Sequence, residues 1–340
     1  MKVAPELRCR AHGLPLACEA EEVESSASLR CDGGCAVPVV GGIPRFVETS
    51  NYASGFGLQW NAFRKTQLDS HTGTTISRER LARCLGGSLE TVAGKSVLEV
   101  GCGAGRFTEL MLAADARVFA CDLSQAVEAN YANCRHFPDY FVCQADVRSL
   151  PAAQRSFDFV VCLGVIQHTP DPEETIAALA RQLKPGGTLV IDHYTHGYPA
   201  NFAQRTLRKL FTSLPPRAAK ASALAVARAL VVLHRLSWSE GRGRWRLRRQ
   251  LRKLSPLIDY YEAYPQLGDK LLAEWALLDT HDTLTDHYKH LRTADEIARA
   301  LRECGLRDVE VSYGGNGVEA RARAPLAEGA REPEVERASA

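Results

Sequence analysis

Residues 97–107 read VLEVGCGAGRF. An apolar strand carrying one acid, Glu99, runs into glycines at 101, 103 and 105, and apolar residues resume at Phe107. Glycines in such a turn let the backbone approach a ligand closely, because no Cβ intervenes. The helix expected from Gly105 turns free N–H groups toward the same place, which suits an anionic group. Taken alone, the motif could also be a mere tight turn.

The surroundings of this stretch decide the fold. From Lys95 to Tyr194 strands and helices alternate. RVFACD (117–122) reads as a second strand, with a helix from Ser124, and YFVCQ (140–144) as a third. FDFVVCLG (157–164) is continuously apolar, as a strand buried on both faces should be. Asp171, Pro172 and Glu174 cap a helix expected to run to Leu183 and stop at KPGG, before a fifth strand, TLVIDHY (188–194). This rhythm predicts a parallel sheet with right-handed crossovers and helices on both faces.

The rest of the chain is divided around that core. Residues 1–47 hold a cysteine cluster and read as short strands and turns, and 48–94 as a helical lid. The core spans 95–196. A helical insertion follows over 197–290. Residues 291–324 return to the core with a helix, started by Thr293 and Glu296 and stopped by Gly305, and a final hairpin. The tail, 325–340, is expected to be disordered.

Two carboxylates extend the glycine motif. Asp122 ends the second strand, where an acid can take both hydroxyls of a ribose. Asp146 follows the third strand, within reach of an adenine amino group, with Val147 against the ring. Open parallel sheets bind ligands at the carboxyl ends of their strands, and the LGVIQH end of the fourth strand lies there too. A nicotinamide dehydrogenase would share the first features, but its glycine pattern needs a glycine where Arg106 stands.

Residues 95–194 resemble the class I S-adenosylmethionine (SAM)-dependent methyltransferases. VLEVGCGAGRF matches their first motif, ACD the second, QADV the third, DFVVCLGVIQH the fourth, and LKPGGTLVI the following turn and strand. The resemblance implies a Rossmann-like seven-stranded α/β sheet whose last hairpin is antiparallel. It also implies a SAM site formed by Glu99, Gly101, Cys102, Gly103, Gly105, Asp122, Leu123, Asp146, Val147 and Leu163. In that setting His168 is the candidate general base, or else a residue fixing the loop. His193 and Tyr194 face substrate or simply close the strand.

Tyr52, Phe56, Gln59 and Trp60 recur at helical spacing, so they share a face. They form a packing stripe or a lid over SAM. The phrase FGLQW resembles the FGxQW segment of bacterial methyltransferases from biosynthetic gene clusters, which implies that Tyr52, Gln59 and Trp60 help cover the cofactor. EWALLDTHDTLTDHY (274–288) resembles the substrate-side insertion of those enzymes, making Asp279, His281 and Asp282 further candidates.

Of the 11 cysteines, Cys102, Cys121, Cys134, Cys143, Cys162 and Cys304 read as small buried hydrophobes. Cys9, His12, Cys18, Cys31 and Cys35 form a separate group. With GGIPRF after it, this group resembles the zinc ribbon of a small activator protein that partners tRNA and protein methyltransferases. It departs from that pattern in having His12 at the second place and a second pair spaced by three. Structural zinc would be held by Cys9, Cys31 and Cys35, with His12 or Cys18 as fourth ligand.

Between Asn201 and Ser255 lie 14 Lys or Arg and one acid, so the segment carries +13 against −11 for the remainder. These basic helices are a solvated face or meet an anionic, lipid-like or membrane-associated substrate. No apolar run reaches membrane-spanning length and no signal segment is visible, so a cytoplasmic location is expected. The expected reaction is methyl transfer to a small molecule. An rRNA or tRNA methyltransferase and a non-catalytic SAM-binding protein are the alternatives, and nucleic acid is not the expected partner.

Overall fold

The computed structural model describes residues 3–18, 28–196, 200–238 and 242–327. The expected tail lies outside these residues from 328 onward, as does Glu240, the single acid of the basic segment.

Three short strands, β1 (Ser28–Arg30), β2 (Ala36–Val40) and β3 (Ile43–Pro44), pair as a small antiparallel sheet. Leu7, Leu16, Leu29 and Val39 are buried in one cluster with Leu98 and Phe119, so this N-terminal part shares the main core. Helices α1 (Ser54–Ala62), α2 (Asp69–Thr72) and α3 (Ile76–Leu85) follow. Left-handed glycines end the last two, Gly73 at φ 69° and Gly86 at φ 102°.

The alternating region contains β4 (Ser96–Val100), α4 (Thr108–Ala113), β5 (Arg117–Asp122), α5 (Ala126–Cys134), β6 (Tyr140–Gln144), β7 (Phe157–Cys162), α6 (Pro172–Ala180) and β8 (Leu183–Tyr194). The five strands are parallel, and every residue of β4 and β6 is buried. Beside β6, Arg45 pairs with Gln144, whose carbonyl accepts from Phe46 N–H at 2.9 Å.

The element boundaries differ from expectation in three places. The helix after the glycine turn begins at Thr108, because Gly105 sits at φ 95°, outside helical space. The helix expected from Ser124 begins at Ala126, since Ser124 Oγ accepts from Ala126 N–H at 3.1 Å. The helix expected to reach Leu183 ends at Ala180. Leu183 already pairs with Phe157, while Thr188 pairs with Phe159, so KPGG bulges within β8.

The insertion supplies α7 (Phe202–Phe211), α8 (Pro216–Arg235), α9 (Arg242–Leu254) and α10 (Gly268–Thr285). Trp275, Leu272, Ala227 and Val231 pack there around Ile76 of α3. The chain returns through α11 (Ala294–Glu303), β9 (Arg307–Gly314) and β10 (Gly317–Arg323). β10 slots antiparallel between β8 and β9, completing a Rossmann-like sheet of order β6-β5-β4-β7-β8-β10-β9. The order reverses at β4 and β7, which opens a crevice at their carboxyl ends. Among the described residues no helix is long and apolar enough to cross a membrane.

Candidate functional site

A cavity of about 520 Å³ occupies that crevice. Its floor is mostly backbone. Gly101 and Cys102 N–H donate to the Cys121 carbonyl at 2.8 and 3.1 Å, which locks the turn onto β5. Gly101 and Gly103 have φ of 71° and 49°. A Cβ on Gly101 would sit 2.2 Å from Val165 Cγ2, and one on Gly103 3.2 Å from Trp60. Both positions therefore keep open a space that other residues would fill.

Two acids stand at neighbouring strand tips. Asp122 accepts from Gly103 N–H at 3.1 Å and from Ser124 N–H and Oγ at 2.8 and 2.7 Å. Burial raises its pKa, and these donors work against that rise. Asp146 caps the turn Val147–Ser149 and pairs with Arg148 at 2.7 Å. Burial would raise its pKa, but the Arg148 bonds prevail and lower it. Glu99 lies deeper, pushed up to about 8 by burial and holding Thr108 Oγ1 at 2.5 Å.

Leu123, Val147 and Leu163 line the cavity, as do Tyr52, Phe56, Gln59 and Trp60 from the α1 region. Gln59 Oε1 meets His281 Nδ1 of α10 at 2.6 Å, joining the two helices over the crevice. Burial raises the Tyr52 phenol well above its ordinary range.

His168 lines the cavity beside Phe56 and Tyr194. Its Nδ1 is 3.0 Å from the Tyr288 carbonyl. A carbonyl only accepts, so Nδ1 carries the proton and Nε2 the lone pair. Asp286 Oδ2 is 3.5 Å away and also meets Lys289 Nζ at 3.0 Å, and Oδ1 holds Arg208. Burial lowers the His168 pKa below 6.5, so the ring is neutral at neutral pH.

Residues 98–191 match a family model described as a methyltransferase domain. The matched segment is the strand-and-helix core that builds the crevice. Over 113 residues the chain is 33% identical to a ubiquinone biosynthesis O-methyltransferase of Coxiella burnetii, covering 32% of this chain and 48% of that protein. The enzyme of the same name from Xanthomonas oryzae is 39% identical over 117 residues, covering 33% and 48%. The chain thus spans about half the length of the curated relatives it matches. A SAM-dependent methyltransferase from Aquifex aeolicus overlays with a TM-score of 0.41 at 14% identity, covering 81% of this chain and 98% of that one.

Gly105 is the one expected cofactor residue that does not line the cavity. A Cβ there would meet Cys134 Sγ at 2.9 Å, so this glycine serves the packing of α5. Tyr194, Asp279 and Asp282 line the cavity, whereas His193 and His281 do not. His193 Nδ1 turns to the Tyr194 carbonyl at 2.8 Å.

Several lining residues had no signal in the sequence. Arg106, noted only for breaking a dehydrogenase pattern, stretches from the glycine turn to Ser77 Oγ (2.8 Å) and Gln67 Oε1 (2.9 Å), between the rings of Phe107 and Trp275. Arg80 pairs with Asp192 behind it. Tyr260 and Tyr264 join Trp275 and Asp279, and Tyr260 donates to Asp279 at 2.5 Å. Burial pushes Asp279 and Asp282 up to about 7.

In the N-terminal part, one ligand atom each of Cys9, His12, Cys31 and Cys35 lie within 4.8 Å of one another, and Cys18 is not in that group. His12 Nδ1 is 3.8, 3.4 and 3.6 Å from Cys9, Cys31 and Cys35 Sγ. Tetrahedral zinc places sulfur and nitrogen ligands about 3.6 Å apart, so the donor set and spacing fit that ion. A Cβ on Gly33 would lie 2.3 Å from His12 Nδ1, so glycine is what lets the imidazole enter. Backbone N–H groups of His12 and Ala11 draw the Cys9 thiol down to about 6 despite opposing desolvation.

Of the other cysteines, Cys102, Cys121, Cys134, Cys143 and Cys162 are buried as expected, while Cys304 is half-buried.

Proposed function

We propose that this chain transfers a methyl group from SAM to a small-molecule nucleophile, within the cytoplasm. The carrying observation is that Gly101, Gly103, Asp122 and His168 line one cavity, with His168 Nδ1 engaged by the Tyr288 carbonyl. Bound SAM supplies a methyl group already activated on a sulfonium. The bare backbone at Gly101 and Gly103 gives room for the methionine end. Asp122 accepts from ribose hydroxyls, and Asp146 with Val147 receives the adenine. Tyr52, Gln59 and Trp60 exclude water from above.

His168 Nε2 takes the proton that a hydroxyl or ammonium nucleophile must lose. Burial favours the uncharged form of this base, and the carbonyl of Tyr288 keeps the proton on Nδ1, leaving the lone pair on Nε2. Most of the rate would come from positioning, and the base would add about 10²–10⁴-fold. The aromatic set Tyr260, Tyr264 and Trp275 is suited to a compact acceptor. The relatives named as O-methyltransferases of ubiquinone biosynthesis support a small-molecule substrate as well.

Calorimetric titration with SAM tests the cofactor site, and a labelled-methyl assay against small-molecule and RNA pools tests the acceptor class. Absence of SAM binding would end the first reading, and labelling confined to RNA the second. Cys9, His12, Cys31 and Cys35 are proposed to hold a structural zinc. Metal analysis of the purified chain should find about one equivalent, lost on Cys31→Ser.

A further inference from the structure

Three helix ends of the insertion are tied at one point. Asn201 Nδ2, before α7, donates to the Ser255 carbonyl at 2.6 Å, just past α9. Ser255 Oγ is 2.9 Å from His234 Nε2, on the last turn of α8. His234 Nδ1 donates to Asp259 at 2.6 Å, and Trp238 Nε1 donates to the same carboxylate at 3.0 Å. The serine, histidine and aspartate have the order of a nucleophilic triad. Ser255, however, lines neither the main cavity nor the second one, so the network is a clasp.

Large apolar side chains are exposed on the helices whose ends the clasp ties. Phe202 begins α7 and is 78% exposed, and Leu254 ends α9 at 72%. Val232 and Leu236, at the end of α8, are 66% and 62% exposed. Single exposed apolar residues are ordinary, but four on helix ends that buried polar bonds tie together are more than chance exposure needs.

Charge says what the contact is with. Residues 200–254 hold 14 Lys or Arg against one acid, Glu240. Arg205, Arg235, Arg246 and Lys253 have no ion pair among the described residues, and the first two lie on the same helices as the apolar group. Large aliphatic groups among an excess of cations match a bilayer with anionic headgroups, where the chains sink into the interface and the cations meet phosphate. RNA offers nothing for Val232 or Leu236 to bury in. A second copy would set arginine against arginine. No described helix can span a bilayer, so the contact is peripheral.

We propose that the clasped ends of α7, α8 and α9 dock this protein on an anionic lipid surface. Helix α7 links that surface to the site: its far end, Phe211, lines a second cavity of about 210 Å³ that shares Tyr52 and Phe56 with the main one. The ten residues of α7 span about 15 Å. The proposal does not depend on the identity of the methyl acceptor.

Co-sedimentation of the full chain with vesicles tests it. Vesicles containing about one third phosphatidylglycerol should bind the protein at least about tenfold better than phosphatidylcholine alone, and added salt should weaken the binding. Phe202→Ser combined with Leu254→Ser should cut partitioning by about tenfold or more. Arg235→Gln and Lys253→Gln should each cost about fivefold. Circular dichroism and SAM affinity serve as controls for folding in both sets.

No sedimentation with either vesicle at low salt would overturn the proposal, as would equal sedimentation with both. Binding undiminished in both sets of variants would do the same. Stable binding to RNA without binding to vesicles would reassign the surface to nucleic acid, and a dimer dissolved by Phe202→Ser would reassign it to self-association.

Discussion

Two walls face each other across the cavity, and they are built by opposite means. The strand-tip wall presents backbone: Gly101 and Gly103 are pinned to Cys121 and Asp122, and the acids at 122 and 146 stand at fixed register positions. The helical wall presents side chains: Gln59 to His281, Tyr260 to Asp279, and Arg106 to Ser77 and Gln67. A backbone wall has few ways to change without losing the sheet. A side-chain wall can be rebuilt one residue at a time, so the proposed cofactor site falls to the first wall and the proposed choice of acceptor to the second.

His168 sits on the seam between the walls and gives the largest expected effect. His168→Ala should lower kcat by about 10²-fold or more while leaving the SAM Kd unchanged, because its loss removes a base and not a cofactor contact. In the unmodified protein kcat should be level at neutral pH. It should fall as pH drops through the His168 pKa, which lies below 6.5, since protonation blocks Nε2. A kcat that ignores pH across that range would move the base elsewhere.

Next comes the strand wall. Asp122→Ala removes an acceptor of two or more hydrogen bonds and should weaken SAM about 100-fold by calorimetry. An unchanged Kd would dissolve the distinction between the walls. On the opposite side, Tyr264→Ala should raise the acceptor KM by roughly tenfold with the SAM Kd held constant. If it shifted SAM affinity instead, the helical wall would share in cofactor binding.

The smallest effect is on stability. Asp282 is pushed up from 3.8 to about 7 by burial, and its Oδ1 has no hydrogen-bond partner among the described residues. Between those values the folded chain binds a proton that the unfolded chain does not, so stability declines as pH rises through the window. Asp282→Asn should raise Tm by about 2 °C above pH 7 and have almost no effect near pH 4, as read by scanning calorimetry.

The same division explains what the sequence could tell. The strand wall was legible because its parts are contiguous: an apolar run, a glycine turn, then an acid where the next strand ends. Even there one letter carried two meanings. Gly101 and Gly105 both need positive φ, but only the first faces the cavity, and nothing local separates them. Helix starts at Gly105 and Ser124 were placed early because left-handed and capping conformations look helical in composition. The helical wall was largely illegible. Arg106 reaches Gln67 across 39 residues, and Trp275 donates to the Thr66 carbonyl across 209, so only folding makes them neighbours. In the ribbon, spacing indicated the cysteines but left open whether His12 or Cys18 completes the set, which depends on the room left by Gly33.

The pairing of Arg45 and Phe46 with Gln144 has a consequence for handling the protein. β6 is the outermost parallel strand, and without that partner the Gln144 carbonyl at its edge would be free to pair with any extended chain. A truncated form starting at residue 48 would expose this edge and also strip the cover from Phe141 and Val147. It should therefore clump during expression even if the crevice itself still formed, so low yield of such a fragment would say nothing about whether its chemistry needs the ribbon.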